Sequence, residues 1–211
     1  MNESDHRSRA HGHTSVAHSN IFSNSHGQQT TNNHKNHPDG VGPTPLLSAQ
    51  VIADRVHQLA ASISSTYANQ DLLLVPILRG AFIFAADLAR AITIDHRIDF
   101  LQLSSYKGTQ TRGTVSVDRD LNTDIAGLSV LIVEDIVDTG RTLSTTLDIL
   151  GDRNPASLEV VTLLSKPSRR KIDNSVRWTG FEISDVFVVG YGLDLNEHHR
   201  QLPYLAVVEP H

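Results

Sequence analysis

Leu47, Val51, Ile52, Val56, Leu59 and Ile63 recur mostly at steps of three and four residues. That spacing lines one face of a helix, so residues 46–67 are predicted helical, with Ser48 as N-cap. Residues 71–78 (DLLLVPIL) are almost unbroken in apolar character, the mark of a strand buried on both faces. Gly80 follows, and AFIFAADLARAI predicts a second helix over 81–92. Residues 98–105 predict a second strand with Leu101 and Leu103 on one face, 128–133 a third and 158–164 (LEVVTLL) a fourth. Residues 142–150 predict a helix between the third and fourth strands, ended by Gly151 as C′ residue with Pro155 beyond. Residues 186–189 and 205–208 predict two more strands. Short buried strands alternating with helices give an α/β fold, a mainly parallel sheet flanked by helices with right-handed crossovers.

Ligands of such sheets bind beyond the carboxyl ends of the strands. The unusual residues collect there. Arg79 and Gly80 follow the first strand, and Tyr106-Lys107-Gly108 the second. Glu134, Asp135, Asp138, Thr139 and Gly140 follow the third, and Lys166 the fourth. Gly190, Gly192 and Asp194 follow the fifth.

Composition divides the chain. Residues 1–45 contain seven apolar residues and are otherwise mostly His, Asn, Ser, Gly, Thr and Gln. Such a segment buries too little apolar surface to offset its ordering entropy, so it is expected to be disordered, leaving residues 46–211 as the domain. Seven of the twelve histidines lie in it; His11-Gly-His13 and His34-x-x-His37 offer at most weak metal sites. Its three basic and three acidic residues cancel, so the domain carries the net charge of −5. An acidic domain argues against a general nucleic-acid or membrane-surface partner. The chain has no cysteine, which excludes thiol nucleophiles and zinc–thiolate sites. No leader-type apolar core and no membrane-length apolar run is visible, and the expectation is a cytoplasmic protein.

The sequence VLIVEDIVDTGRTL (130–143) carries the most specific chemistry. Gly140 permits a tight turn, and the amides of 138–142 with the following helix N-terminus make a cradle for a phosphate. Ordinary capping by Asp138 or Thr139 would use the same residue types. Glu134 and Asp135 would repel a phosphate, so they should face sugar hydroxyls or a magnesium ion. A sugar phosphate satisfies both halves, with Asp138 between them where a general base would stand.

This stretch resembles the phosphoribosyl-pyrophosphate signature of the type I phosphoribosyltransferases. Leu78-Arg79-Gly80, Ser105-Tyr106, Lys166 and FEISDVFVVGYGLDLNEHHRQLPYL (181–205) are similar to the hypoxanthine-guanine phosphoribosyltransferases, and the similarity spans about residues 46–210. The resemblance implies the type I phosphoribosyltransferase fold with a small hood region. It implies transfer of the 5-phosphoribosyl group from phosphoribosyl pyrophosphate to hypoxanthine or guanine, with Mg²⁺, in purine salvage, by a homo-oligomer (dimer or tetramer). Its partners are then phosphoribosyl pyrophosphate and a 6-oxopurine, without nucleic acid or membrane.

The resemblance also implies roles. Asp138 matches the general base that takes the purine N7 proton. Glu134 and Asp135 match the acids that hold the ribose hydroxyls, directly or through magnesium, and Asp194 matches a further magnesium ligand beside the purine. Asp138, Thr139, Gly140, Arg141 and Thr142 match the 5′-phosphate loop. Arg79 and Gly80 match a pyrophosphate loop that binds through backbone at an unusual cis peptide, and Arg200 matches a pyrophosphate contact. Ser105 and Tyr106 open a Gly- and Thr-rich loop, 105–117, of the kind that closes over the reacting centre. Lys166 matches the reader of the 6-oxo group, Phe187 the aromatic that stacks on the purine, and Val188 the residue whose backbone contacts it. A lysine there favours an oxo group over an amino group and so rejects adenine. Phe187 and Val188 must point to opposite faces of their strand.

Ser184, Val186 and His199 depart from the residues common in the family, which bears on base preference and local packing. Arg169-Arg170-Lys171 reads as a solvated turn. The competing reading is a regulator of the same fold that binds nucleotide or nucleic acid without turnover; the acidic domain and the retention of Asp138 and Lys166 favour the enzyme. An aspartic protease is disfavoured because there is one Asp-Thr-Gly and it opens a helix.

Overall fold

The computed structural model describes residues 44–105 and 115–209. The His-rich segment 1–43, with the disorder expected of it, lies outside the described residues, as do Tyr106 and most of the loop it opens. The apolar run after Asp71 forms strand β2 (Leu72–Leu78), buried along nearly its whole length. In chain order the elements around it are β1 (Thr44–Leu47), α1 (Ala49–Thr66), α2 (Phe82–Ala91), β3 (His96–Ile98), β4 (Leu101–Ser105), β5 (Val115–Arg119), β6 (Ser129–Val137), α3 (Arg141–Gly151), β7 (Ser157–Ser165), β8 (Trp178–Glu182), β9 (Val188–Val189) and β10 (Leu205–Val207).

The main sheet runs β5-β4-β2-β6-β7-β8, with β3 also on β2. All its pairs are parallel except β4 with β5. Alternation along each strand divides the core in two. Leu72, Leu74, Leu131, Val133 and Val161 pack with Ile52, Val56, Leu59 and Leu88 of α1 and α2. Leu73, Val75, Val130, Ile132 and Val160 pack with Leu143 and Leu150 of α3. A strand covered by helices on both faces needs apolar residues at every position, which is why these segments read as runs. A second, antiparallel sheet, β1-β10-β9, makes the small hood.

Several boundaries differ from the sequence reading. The first helix starts at Ala49, because residues 44–47 pair with β10; Ser48 is its N-cap and accepts from the Val51 amide at 3.3 Å. The strand expected over 98–105 is two strands, β3 and β4, which pair with successive stretches of β2 on either side of Asp99. The third strand does not stop at Val133. It continues to Val137 and takes both acids into the sheet, with Glu134 paired to Thr162. Gly151 is the last helical residue and not a left-handed C′; the left-handed turn residue is Asn154, at φ 56°. Residues 115–117, expected in a loop, belong to β5, and β8 was not anticipated.

The break at Asp99 has a physical cause. Its carboxylate is buried and accepts from three backbone amides: Phe100 at 2.8 Å, Asn122 at 2.7 Å and Thr123 at 2.8 Å. Burial alone would raise its pKa, but these donors outweigh it and hold the carboxyl below its ordinary value. The group joins the β3–β4 corner to the approach to β6. Asp99→Ala should therefore cost about 2–3 kcal/mol by stranding buried donors, a fall of roughly 5–10 °C in Tm. Because the folded pKa is the lower one, this stabilisation is full above the unfolded pKa of about 4 and is lost as pH falls through the folded value. Thermal unfolding of both proteins across pH checks it: the gap should shrink in acid.

Candidate active site

The carboxyl end of β6 brings two acids into a closed space. Glu134 is buried, and Asp135 packs against the turn after β2. That turn contains a cis peptide between Leu78 and Arg79, as the resemblance implied. A Cβ on Gly80 would stand 1.6 Å from Asp135 Oδ2, so only glycine lets this backbone meet the carboxylate. Gly192 is seated on the same turn: at φ +103°, its Cβ would lie 2.1 Å from the Gly80 carbonyl oxygen. Three segments distant in sequence thus converge at Asp135.

Arg200 closes this corner. Its guanidinium meets Asp194 Oδ1 at 2.7 Å and donates to the Gly192 carbonyl at 2.8 Å. Asp194 Oδ2 accepts the Glu197 amide at 2.9 Å. Glu197 Oε2 also bridges Arg200 at 3.2 Å and Arg79 at 3.0 Å. The Arg79 side chain points to this exposed bridge, while Leu78 and Gly80 line the cleft itself.

That cleft, of about 240 Å³, is walled by Gly80, Leu103 and residues 134–143. Its floor is the start of α3. Gly140 takes the N-cap position at φ 82° and supplies no side-chain cap. Capping by Asp138 or Thr139 is therefore not what this turn does; the nearest approach is a long 3.5 Å contact from the Arg141 amide to Thr139 Oγ1. The first-turn amides stay available to an anion. The turn is held from outside: the Lys171 and Ile172 amides donate to the Thr139 carbonyl at 3.0 and 3.2 Å, and Asn174 Nδ2 to the Gly140 carbonyl at 2.6 Å. Asn174 gave no signal in the sequence, because only the fold brings residue 174 to residue 140.

A second pocket, of about 590 Å³, adjoins the first and is lined by Asp138, Lys166, Arg169, Asp185, Val186, Phe187, Val207, Val208 and Glu209. Asp138 lines both pockets. Sheet register creates this: Val137 pairs with Ser165, and the Lys166 amide donates to the Val137 carbonyl at 3.0 Å. Asp138 and Lys166 are the next residues on adjacent parallel strands. Lys166 is buried, with Nζ 3.7 Å from Asp185, and is not a solvated strand-end lysine. Phe187 is 41% exposed on the pocket wall, whereas Val188 is 5% exposed in the core, so the expected opposition of the two residues holds.

Some sequence-predicted residues stand apart from the two pocket walls. Asp194 and Arg200 form the corner beside Asp135 and Gly192. Ser105 is the last residue of β4, paired with Val115, and Tyr106 lies outside the described residues. The Arg169-Arg170-Lys171 cluster is not a merely solvated turn. Arg169 Nε reaches Asp138 at 3.1 Å, Arg170 donates to Ser165 Oγ at 2.9 Å, and the Lys171 amide holds the phosphate-type loop. Arg169 was missed because a charged turn outside a motif looks like any other, and Asp185 because nothing local in the 181–205 segment points it at Arg169 or Lys166.

Burial and the adjacent Asp135 push Glu134 well above the carboxylate range. Asp135 is pushed up to about 6, by burial first, with backbone donors and Arg200 opposing and Asp194 adding to the rise. Two carboxylates this dry favour a partner that brings positive charge or hydrogen-bond donors. Among the described residues, no group of three His, Asp or Glu side chains is arranged to hold a metal by itself, and no helix is long and apolar enough to cross a membrane.

Residues 44–196 match the family model described as phosphoribosyl transferase domain. A hypoxanthine phosphoribosyltransferase of Salmonella typhimurium is 47% identical over 166 residues, 77% of this chain and 93% of that protein. A hypoxanthine-guanine phosphoribosyltransferase of Bacillus subtilis is 42% identical over 166 residues, 78% of this chain and 92% of that one. The crystal structure of a Staphylococcus aureus hypoxanthine phosphoribosyltransferase superposes with a TM-score of 0.75 at 42% identity, covering 79% of this chain and 91% of the other.

The buried acids set a stability test. A carboxyl whose folded pKa is raised favours folding while protonated and opposes it once ionised. With Asp135 at about 6, stability should fall as pH rises from the ordinary carboxylate value of about 4 through 6. Glu134→Gln cannot ionise, so its advantage over the parent should grow as pH rises, reaching a Tm higher by ~2–4 °C, about 1 kcal/mol, in alkaline buffer where both acids of the parent are charged. Calorimetry in metal-free buffer measures it, and an unchanged or lower Tm would contradict the assigned cost.

Proposed function

The chain belongs to the phosphoribosyl transferase family, and we propose that it transfers the 5-phosphoribosyl group of phosphoribosyl pyrophosphate to hypoxanthine, and to guanine, releasing pyrophosphate. This is a purine-salvage reaction. The observation that carries the assignment of roles is the position of Asp138, the residue common to the anion-binding cleft and the second, aromatic-walled pocket.

The uncapped amides of the 138–142 turn bind the 5′-phosphate, together with the Thr139 and Thr142 hydroxyls. Glu134 and Asp135 accept from the ribose 2′- and 3′-hydroxyls. The purine lies in the second pocket against the Phe187 ring, with its 6-oxo group toward Lys166 and Val188 contributing backbone. Asp138 then faces N7 of the base and takes its proton as the new bond to the ribose C1 forms. Backbone at Arg79 and Gly80 and the side chain of Arg200 receive the departing pyrophosphate. Ser105, Tyr106 and the loop they open are proposed to cover the reacting centre and exclude water.

Magnesium fits this donor set. Glu134, Asp135 and Asp194 are oxygen donors, and Mg²⁺ needs only one or two carboxylates where substrate phosphates and water complete its shell. When bound, it supplies charge neutralisation for the leaving pyrophosphate. Assembly as a dimer or tetramer is carried by the family resemblance alone, and action in the cytoplasm is proposed from the sequence reading. The proposed division into a disordered 1–45 segment and a 46–211 domain rests on composition, with the hood strand already beginning at Thr44. The regulator reading has no feature in its favour: the acidic domain keeps both the proposed base and the base-reading lysine, and the relatives above are named as enzymes.

A turnover panel of hypoxanthine, guanine, xanthine and adenine with phosphoribosyl pyrophosphate and Mg²⁺ tests the assignment. Hypoxanthine should be converted and adenine should not; no turnover of any base would sink it. In the same panel Lys166→Gln should narrow the preference for hypoxanthine over adenine by about 100-fold, the scale of a site that loses a matched hydrogen bond. Equal loss on both bases would refute the 6-oxo role. Asp138→Asn should lower kcat by at least about 100-fold with phosphoribosyl-pyrophosphate binding kept, as measured by calorimetric titration.

A further inference from the structure

Arg169 stands in the second pocket beside the proposed base, in a position that no role assigned so far requires. It closes a 3-10 turn, Pro167–Arg169, directly after Lys166, and its amide donates to the Lys166 carbonyl at 3.0 Å. Its Nε lies 3.1 Å from Asp138 Oδ1, and its Nη1 lies 3.4 Å from Asp185 Oδ2. Asp185 Oδ1 in turn lies 3.7 Å from Lys166 Nζ. The four groups form an open chain: Asp138, Arg169, Asp185, Lys166. Each charge has an opposite neighbour, and both ends line the same pocket.

Stability does not explain this chain. The Arg169, Asp138 and Asp185 side chains are 47%, 39% and 50% exposed. Ion pairs this wet contribute little to folding. Their geometry does something specific to Asp138. One carboxylate oxygen, Oδ1, is occupied by a rigid guanidinium, and among the described residues Oδ2 has no recorded partner. A carboxylate held by one oxygen cannot rotate freely and presents the other in a fixed direction. A guanidinium suits that task because its fork is planar and stays charged. Asp185 fixes the guanidinium from the far side, and the short turn ties it to Lys166. The residue reading the 6-oxo edge and the residue aiming the base are thus three positions apart on one rigid piece.

We propose that Arg169 is a positioning residue for proton abstraction, orienting Asp138 through Oδ1 so that Oδ2 meets N7 of the purine bound at Lys166. The inference rests on reading Asp138 as the base. In the reaction the N7 proton passes to Asp138, the N7–H bond electrons return to the imidazole ring, and the N9 lone pair bonds to ribose C1 as the C1–O bond to pyrophosphate breaks and pyrophosphate leaves. Arg169 exchanges no proton; it keeps one hydrogen bond throughout and offsets no charge on the substrate.

The test is a double-mutant cycle in the full chain, with Arg169→Ala, Asp138→Asn and the pair. Arg169→Ala should lower kcat about tenfold, a fraction of what a positioned base supplies, with KM for phosphoribosyl pyrophosphate unchanged. Placed on Asp138→Asn it should cost less than about twofold, because there is no base left to orient. The single-variant deficit should also narrow for purine analogues with a more acidic imidazole N–H, which need less help in losing the proton. Equal loss on both backgrounds, a deficit independent of N–H acidity, or a Tm lowered by more than about 5 °C would overturn the positioning role. If Asp138→Asn itself leaves kcat intact, the reading of Asp138 as the base fails instead, and the two failures are told apart by that single variant.

Discussion

Two adjacent carboxylates at the dry end of one strand are the constraint around which this site is organised. Glu134 and Asp135 are consecutive on β6, line the same cleft and are both withdrawn from bulk water. An unpaired buried charge is among the most costly features a fold can keep. Asp135 is tolerated because backbone donors and Arg200 oppose the cost of its burial. Among the described residues Glu134 has no such donor, and burial with the neighbouring Asp135 holds its carboxyl well above the ordinary range. The geometry around Asp135 follows from the same constraint. Gly80 lacks a side chain because the carboxylate fills that space, and Gly192 lacks one because the Gly80 carbonyl does. A site that stays uncomfortable until a substrate supplies hydroxyls or a cation gains binding energy from relieving that discomfort.

The sheet then sets everything else by register. Parallel strands that end level with one another place consecutive loops side by side. Val137 opposite Ser165 puts Asp138 beside Lys166 without any contact between their side chains being required. Phe187 enters from the hood side, where β9 is held by β10 and the Val208 amide donates to the Phe187 carbonyl at 3.0 Å. The second pocket therefore lies between the main sheet and the hood, while the first cleft is walled by the main sheet and the start of α3. Asp138 sits on the boundary because β6 is the strand that both share.

Much of this was legible in the sequence, for reasons that differ by residue. Central strands β2, β6 and β7 are buried on both faces, so their apolar runs are long and unmistakable. Edge and hood strands carry weaker signals. Thr44–Leu47 contains a proline and only two strongly apolar residues, and Trp178–Glu182 includes Gly180, whose Cβ would strike the Leu163 carbonyl at 2.4 Å. Short strands of that kind are defined by their neighbours and not by their own pattern. The end of β6 was misplaced because a carboxylate looks like a strand terminator when its eventual burial is unknown. The proposed phosphate loop was readable because its chemistry is local, carried by five consecutive residues. Arg169, Asp185 and Asn174 were not, since each acts on a residue at least eleven positions away through the fold.

That contrast separates two kinds of functional residue in the site. Groups proposed to meet substrate atoms occupy strand ends, where the backbone itself fixes them: Asp138, Lys166 and the 138–142 amides. Groups that only steady those residues come from turns outside the sheet, Arg169 and Asn174 among them. The supporting groups matter most where the group they steady is exposed. Asp138 is 39% exposed on its side chain, so packing alone does not hold its rotamer. A side chain that packing cannot fix has to be fixed by a directional bond, and a guanidinium anchored at its far end by Asp185 is stiffer than water. The same logic governs the phosphate turn, whose left-handed Gly140 is free of a side chain that could pack, and whose carbonyl is pinned by Asn174. Rigidity at this sheet edge is thus supplied by hydrogen bonds from the 166–174 segment, which makes that segment part of the site although none of the residues proposed to bind phosphate lies in it.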